Sequence, residues 1–229
     1  METRYEKNIG YLFSAHDQNV LLNSTIGVLG CGGNGGYVID FLARLGCEKL
    51  IIFDGDTFEE SNLNRQLFCN MKTLGENKAE VAARWVEKVN PTIGCLAYSN
   101  YFSQFEVDLQ TIKTWCDIVF LEQDYTKVDP YKMRSYLRNY IEDGGICVGM
   151  GNSPLGGNSS VFTKDSLDFY DKLTAMIGNE PINIPVAQPA YICAMSAALD
   201  VALGVKALCN KPYAAMGETV SYDLYHNKM

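Results

Sequence analysis

The sequence predicts an α/β fold: a mostly parallel sheet covered by helices on both faces. Three observations predict it. Short runs of β-branched and aliphatic residues alternate with stretches of helical periodicity. One complete strand–turn–helix–strand unit is legible at residues 25–54. A hydrophobic content of 47% in 229 residues supplies enough apolar surface to cover a sheet twice.

That unit reads TIGVLGCGGNGGYVIDFLARLGCEKLIIFD. Ile26, Val28 and Leu29 predict a strand, and Gly30-Cys31-Gly32-Gly33-Asn34-Gly35 opens a helix. Val38, Phe41, Leu42 and Leu45 recur at i, i+3, i+4 and i+7, giving that helix one apolar stripe. Gly46 stands where a helix-ending glycine belongs. Residues 49–53 predict a second strand, closed by Asp54, 22 residues past Gly32. Strand, glycine turn, helix, strand and acid are the dinucleotide-type βαβ fingerprint in its required context, so the fold is Rossmann-like. Glycines admit phosphate close to the backbone, the helix start offers free N–H donors, and Asp54 can accept a ribose hydroxyl. The competing reading is a tight turn that only packs helix on sheet.

The remaining elements follow in order. Residues 1–24 predict a short helix and a loop ending in the turn-like Asn23-Ser24. Residues 78–89 predict a helix with Ala82, Trp85, Val86 and Val89 on one face, stopped by Asn90-Pro91. A short strand at 95–98, a brief helix at 109–115 and a buried strand at 117–121 come next. Asp129-Pro130 is a cap and first-turn pair, and its helix carries Met133, Tyr136, Leu137, Tyr140 and Ile141 on one stripe. Strands are predicted at 146–150 and 159–163. The glycine-rich stretch 149–157 between them reads as a turn, or as a channel floor for an extended tail. A crossover segment follows at about 164–188, with a helix at 166–176. The C-terminal helix and strand, within about 189–229, include a strand at 220–225. The expected organisation is one domain over 1–229, with a nucleotide-binding core at about 25–163.

Composition excludes several classes. A net charge of −8 argues against a nucleic-acid partner, which needs a basic face. Any phosphate site must be assembled locally from a few cations and backbone amides. The eight cysteines lack a C-x-x-C pair, so no zinc is expected and a reducing, cytoplasmic setting is. The N-terminus is polar and charged, unlike a secretory signal. The apolar stretch 190–208 contains Asp200 and Lys206, which predicts a buried or interface helix and no membrane partner.

The second informative stretch runs Asp54-Gly-Asp56-Thr-Phe-Glu-Glu-Ser-Asn62-Leu-Asn64-Arg65-Gln66, followed by Gly75-Glu-Asn-Lys78. Arginine suits forked phosphate contacts and lysine a point charge, and both beside a glycine turn can neutralise a triphosphate and its leaving group. GCGGNG, D-x-D, N-x-N-R-Q and G-x-x-K together resemble the ubiquitin-activating-enzyme-like adenylyltransferases, the ThiF/MoeB/HesA superfamily. The likeness covers roughly residues 4–163 and the last helix and strand. It implies ATP and Mg²⁺ as cofactors and activation of a C-terminal carboxylate as acyl-adenylate with release of pyrophosphate. It implies, as partners, a small ubiquitin-like sulfur-carrier protein or peptide and a second copy in a homodimer.

Carried over position by position, the resemblance makes Gly30, Gly32, Gly33 and Gly35 the phosphate liners and Asp54 the ribose acceptor. Asn62, Arg65 and Lys78 contact phosphates, with Gln66 and Asp56 in the same nucleotide-binding set. Asp56, Glu59 and Glu60 also read as a solvated acidic loop. Asp124, at the end of DIVFLEQD, takes the place of the magnesium ligand. Arg65, Lys78 and Asp124 form the expected catalytic set, with Lys7 as its fourth member. In many relatives the N-terminal R-Y-x-R-Q carries a second arginine that reaches the partner's ATP. Here Arg4-Tyr5-Glu6-Lys7-Asn8 keeps that charge without the fork.

Relatives with a thioester step carry a cysteine in the crossover segment, whereas residues 164–188 hold none. The expectation is therefore adenylation without an enzyme thioester, with Cys193 and Cys209 as core residues. His16 and His226 read as surface residues. Two other readings stay open: a non-catalytic subunit that binds a ubiquitin-like partner, and an NAD-dependent oxidoreductase, for which only the glycine turn and Asp54 speak.

Overall fold

Alternation within each apolar run decides the architecture. In the computed structural model, which describes residues 3–11, 13–123, 128–153, 156–177, 188–212 and 218–224, these runs lie side by side as one sheet. Its strands are β1 (Thr25–Leu29), β2 (Lys49–Phe53), β3 (Gly94–Tyr98), β4 (Ile118–Leu121), β5 (Ile146–Ser153), β6 (Gly156–Phe162) and β7 (Thr219–Asp223). The order is β3-β2-β1-β4-β5-β6-β7, parallel from β3 to β5 and antiparallel at β6 and β7. The predicted α/β class, mostly parallel and Rossmann-like, is what forms.

Successive residues of each strand enter opposite cores, as a period of two requires. Ile26, Val28, Leu50, Ile52, Ile118 and Phe120 join one cluster with α2 (Gly33–Leu45), α3 (Lys78–Val89) and α7 (Ala190–Leu208). Leu29, Ile51, Phe53 and Val119 join the other with α4 (Glu106–Trp115), α5 (Pro130–Glu142) and α6 (Leu167–Ile177). The five α5 residues named from periodicity are all buried. Helix α7 is long and apolar enough to cross a membrane by composition, and 56% of it is buried here, against α2, β4, β5 and β6. Gly204 lets it lie on β4, since a Cβ there would come within 2.6 Å of the Phe120 ring.

Some boundaries move for physical reasons. The N-terminal region holds two helical pieces, a 3-10 turn at Thr3–Asn8 and α1 (Ala15–Leu22), where one was expected. Helix α4 starts three residues early, because the Asp108 carboxylate accepts the Phe105 N–H at 3.0 Å and caps a turn that lacks a polar N-cap. Strand β5 continues through Gly151–Ser153, residues that read as loop, because β6 pairs with it from Cys147↔Phe162 to Ser153↔Gly156. The stretch 149–157 is therefore most of a hairpin. Gly156 and Gly157 are required by packing: a Cβ would meet Tyr222 O at 1.9 Å or Ser196 Oγ at 2.3 Å. The later crossover, 178–187, lies outside the described residues.

The order of the strands reverses beside β1, where the chain returns from β3 to β4 on β1's other side. Ligands of open α/β sheets bind outside the strand carboxyl ends at such a point. The loops there carry Gly30, Asp54 and Gln123.

At the other end, Asp17 secures α1. Its carboxylate accepts Ser14 N and Oγ, both at 2.7 Å, and pairs with Lys211 Nζ at 3.0 Å. The Ser14 hydrogen bonds first, then Lys211, draw the Asp17 pKa from 3.8 to about 2. A depressed folded-state pKa stabilises fully above the unfolded value and loses that contribution as pH falls through the folded one. The urea midpoint of Asp17→Asn should therefore sit below wild type near neutral pH, with the gap closing as pH falls from about 4 towards about 2.

Candidate functional site

The site is built from three chain turns at the carboxyl ends of β1, β2 and β4. The first is the glycine turn. Gly30 adopts φ +103°, a left-handed conformation, and its N–H donates to Phe53 O at 2.8 Å. A Cβ on Gly30 would stand 2.7 Å from Gln123 N, and one on Gly35 would stand 2.0 Å from Gly30 O. Gly35 thus serves first to seat helix α2 on the turn. Gly32 is the N-cap of α2 and makes no side-chain cap bond. Around Gly32 the space is open: a Cβ would meet only Gln66 Nε2, at 3.8 Å.

The second turn follows β2. Asp54, 6% exposed, accepts Cys31 N at 2.6 Å and Asp56 N at 2.8 Å. Burial raises its pKa, while those two amides and the Lys78 ammonium pull it back part of the way. Asn77, the N-cap of α3, donates to Asp54 O at 2.9 Å and Asp56 O at 3.1 Å, so α3 begins on this acidic loop. Lys78 follows, 6% exposed, with its ammonium 3.2 Å from Asp56 Oδ2. Asp56, partly exposed, is therefore also an anchor for Lys78, while Glu59 and Glu60 of the same acidic loop are exposed. Tyr101 also donates to Asp56, through its hydroxyl.

Between these lies the segment Asn62–Gln66. The Asn62 carboxamide accepts Glu59 N at 3.0 Å, and its carbonyl receives Arg65 N and Gln66 N. This small turn delivers Arg65 to the glycine turn, its Cδ lying 3.9 Å from where a Gly33 Cβ would stand. The guanidinium is held by Ser61 O at 3.0 Å and Asn64 Oδ1 at 2.9 Å. Arg65 Nε and Gln66 Oε1 are buried with no hydrogen-bond partner. A donor left bare beside a helix start and a ring of glycines suits an anion bound at that spot.

The third turn leaves β4. Gln123 grips the β3–α4 loop on both sides, accepting Phe102 N at 2.9 Å and donating to Phe102 O at 3.3 Å. Its neighbour Glu122 lies beneath the glycine turn with Asp200 of α7 against it. Glu122 Oε1 and Asp200 Oδ1 are buried with no donor. Burial and then the neighbouring carboxylate raise Glu122 well above its usual range, and burial carries Asp200 up to about 7. Both shifts favour the protonated form of the pair. Asp124, the expected magnesium ligand, lies outside the described residues. Among the described residues, no three of His, Cys, Asp and Glu gather as a metal site.

Lys7 does not join the site in its own chain. It is exposed on the 3-10 turn, whose Tyr5 ring abuts Gly46 and whose Asn8 bonds Leu45 O. Those anchors sit at the far end of α2, about 18 Å from Gly33 at 1.5 Å per residue. Cys193 is fully buried, on the first turn of α7, its Sγ 2.8 Å from the Gly33 Cβ position. Burial raises its pKa, and Arg65 lowers it in part. Cys209 is half-buried against Asp17 O, and His16 is exposed; His226 lies outside the described residues.

Gln123, Glu122, Asp200, Asn77 and Tyr101 were not found from sequence as site residues. Only Asn77 had a local signal, an N-cap residue before a helical run. The others act through contacts with elements distant in the chain.

The ThiF family model matches residues 5–229. The chain belongs to the ThiF family. The curated relatives match over part of its length. The tRNA threonylcarbamoyladenosine dehydratase of Bacillus subtilis is 32% identical over 84 residues, 37% of this chain and 33% of that protein. The SAMP-activating enzyme E1 of Haloferax volcanii is 41% identical over 76 residues, 33% and 28% of the two chains. The adenylyltransferase and sulfurtransferase MOCS3 of Danio rerio is 36% identical over 102 residues, 44% and 22%. The match thus spans a third or less of each of these relatives. Among solved structures, E. coli MccB with ATP superposes with a TM-score of 0.73 at 21% identity, over 98% of this chain and 72% of that one. PaaA gives 0.70 at 19% identity, over 91% and 66%. Both share the fold of this ThiF-family chain.

Gly35→Ala should break the site from within. Its methyl would collide with the Gly30 carbonyl, so we expect a loss of about 1–3 kcal/mol in chemical denaturation. Nucleotide-induced stabilisation in thermal shift should disappear with it.

Proposed function

We propose that this protein is an ATP-dependent adenylyltransferase. It activates the C-terminal carboxylate of a small ubiquitin-like sulfur carrier or peptide, through one adenylation domain. The observation that carries this reading is the bare Arg65 Nε, on a side chain whose Cδ lies 3.9 Å from the Gly33 Cβ position at the uncapped start of α2. The residues present fit a nucleotide: Asp54 keeps acceptor capacity for a ribose, and two cations, Arg65 and Lys78, serve the phosphates. Membership of the ThiF family and relatives named as adenylyltransferases and activating enzymes support it.

The chain's own part in the reaction is placement and charge. A terminal carboxylate, with an ordinary pKa of about 3.3–3.7, is already ionised and needs no base. Its oxygen forms a bond to the α-phosphorus while the bond to the pyrophosphate oxygen breaks, the electron pair leaving with pyrophosphate. Arg65 and Lys78 offset the charge of both anions, and the glycine turn holds the phosphates in line. Mg²⁺, with Asp124 as its protein ligand, supplies further neutralisation of the phosphates when bound. The protein acts in the cytoplasm as a homodimer, in which Lys7 of one copy serves the other's nucleotide. The half-exposed side of α7 (Tyr191, Met195, Ala198, Ala202) offers that contact.

Two experiments test the reading. ATP with Mg²⁺ should raise the melting temperature and NAD should not; the reverse pattern points to an oxidoreductase. In pyrophosphate exchange against Gly-ended proteins and peptides, Arg65→Ala, Lys78→Ala and Asp124→Ala should each lose about 10²-fold or more while remaining folded. Activity within a few-fold of wild type in all three would sink it.

We also propose that chemistry stops at the adenylate. Covalent catalysis needs an exposed, partly ionised thiol. Cys193 is buried with a raised pKa. Cys193→Ala should keep exchange activity, and non-reducing gels should show no adduct with the carrier. A reductant-sensitive adduct abolished by Cys193→Ala is the contrary result.

A further inference from the structure

Tyr101 belongs to none of the motifs that mark the nucleotide site, yet the fold aims it there. It sits on the loop between β3 and α4. That loop is fixed from the β4 side by the two-way grip of Gln123 on Phe102. Ser103 turns through a left-handed φ of 70° to keep the loop tight. Tyr101 N–H donates to Gln104 Oε1 at 3.3 Å, closing the turn on itself. Its ring covers Gly55, where a Cβ would come within 2.8 Å of two ring carbons. Its hydroxyl donates to Asp56 Oδ1, while Asp56 Oδ2 takes the Lys78 ammonium at 3.2 Å.

Charge and geometry give this chain a purpose. A lysine is a compact charge on a flexible four-carbon stem, so its position is decided by what holds it. Lys78 is nearly buried, and a buried ammonium needs a fixed partner. Asp56 is more open, and a carboxylate held at one oxygen turns easily about its last torsion. Bonded at both oxygens, it cannot turn without losing one bond.

We infer that Tyr101 is a positioning residue for Lys78: acting through Asp56, it holds the ammonium in place for the outer phosphates. This rests on the reading of the site as an ATP site and deepens it. It makes the β3–α4 loop a determinant of triphosphate recognition. AMP, which lacks those phosphates, does not sense it.

Calorimetry on the full chain with ATP and with AMP tests this, in wild type, Tyr101→Phe and Gly55→Ala. Tyr101→Phe removes one oxygen and keeps the ring; Gly55→Ala displaces the ring from the opposite side. In both, ATP affinity should fall about 10-fold, the scale of one charge-assisted hydrogen bond, with AMP affinity within about twofold. Adding Tyr101→Phe to Lys78→Ala should cost nothing further, since the residue acts through that ammonium. Equal losses for ATP and AMP, unchanged ATP affinity in Tyr101→Phe, or full additivity with Lys78→Ala each overturn the inference while leaving the ATP site standing. A wild-type chain that binds neither nucleotide overturns the ATP reading and this inference with it.

Discussion

Two main-chain amides, those of Cys31 and Asp56, converge on the carboxylate of Asp54, and the nucleotide end of the molecule depends on that meeting. β1 and β2 are adjacent and parallel, so their carboxyl ends open side by side, and just beyond the ladder Gly30 N–H still donates to Phe53 O. Asp54 joins the loops further out. One oxygen holds the glycine turn and the other folds the acidic loop back, where Asn77 ties it to the start of α3. Burial of the acid opposes this, and the amides with the Lys78 ammonium offset that cost.

A second constraint is the closeness of backbone to backbone. The glycine turn touches the exit of β4 and the start of α2 at distances that leave no room for a side chain at Gly30 or Gly35. Beneath it the Glu122–Asp200 pair ties the β4 exit to α7, and burial raises both carboxyls towards the protonated form. The turn therefore stands on packed ground, with Arg65 and Lys78 delivered by the loops around it. That arrangement reconciles an acidic protein, net −8, with the local phosphate site proposed above.

The helices and strands flanking the site were legible wherever local propensity and burial agreed. α3, α5 and α7 begin where a cap, a proline or an apolar run says they should, because each buries one stripe or is packed on most sides. Disagreement appeared where pairing overrode composition. Residues 151–153 have loop-like chemistry and become strand because β6 offers a complete ladder. Asp56 read as part of a solvated acidic loop because acids in a polar loop usually are; Tyr101 from beyond β3 and Lys78 from α3 add bonds to its carboxylate that no local signal announces.

By itself the sequence determined the fold class and the strand–glycine turn–helix unit, and through its motifs it named Asp54, Arg65 and Lys78 as candidates. The fold follows from periods of two and 3.6 and from backbone conformations that only glycine adopts easily. Tertiary structure alone decided which oxygen each charge faces. It brought Tyr101 to the acidic loop and Gln123 to the β3–α4 loop, set Asp200 against Glu122, and left Lys7 at the opposite end of α2. Such contacts join residues tens of positions apart, and no local period or propensity encodes them, because they exist only once the strands have taken their order in the sheet.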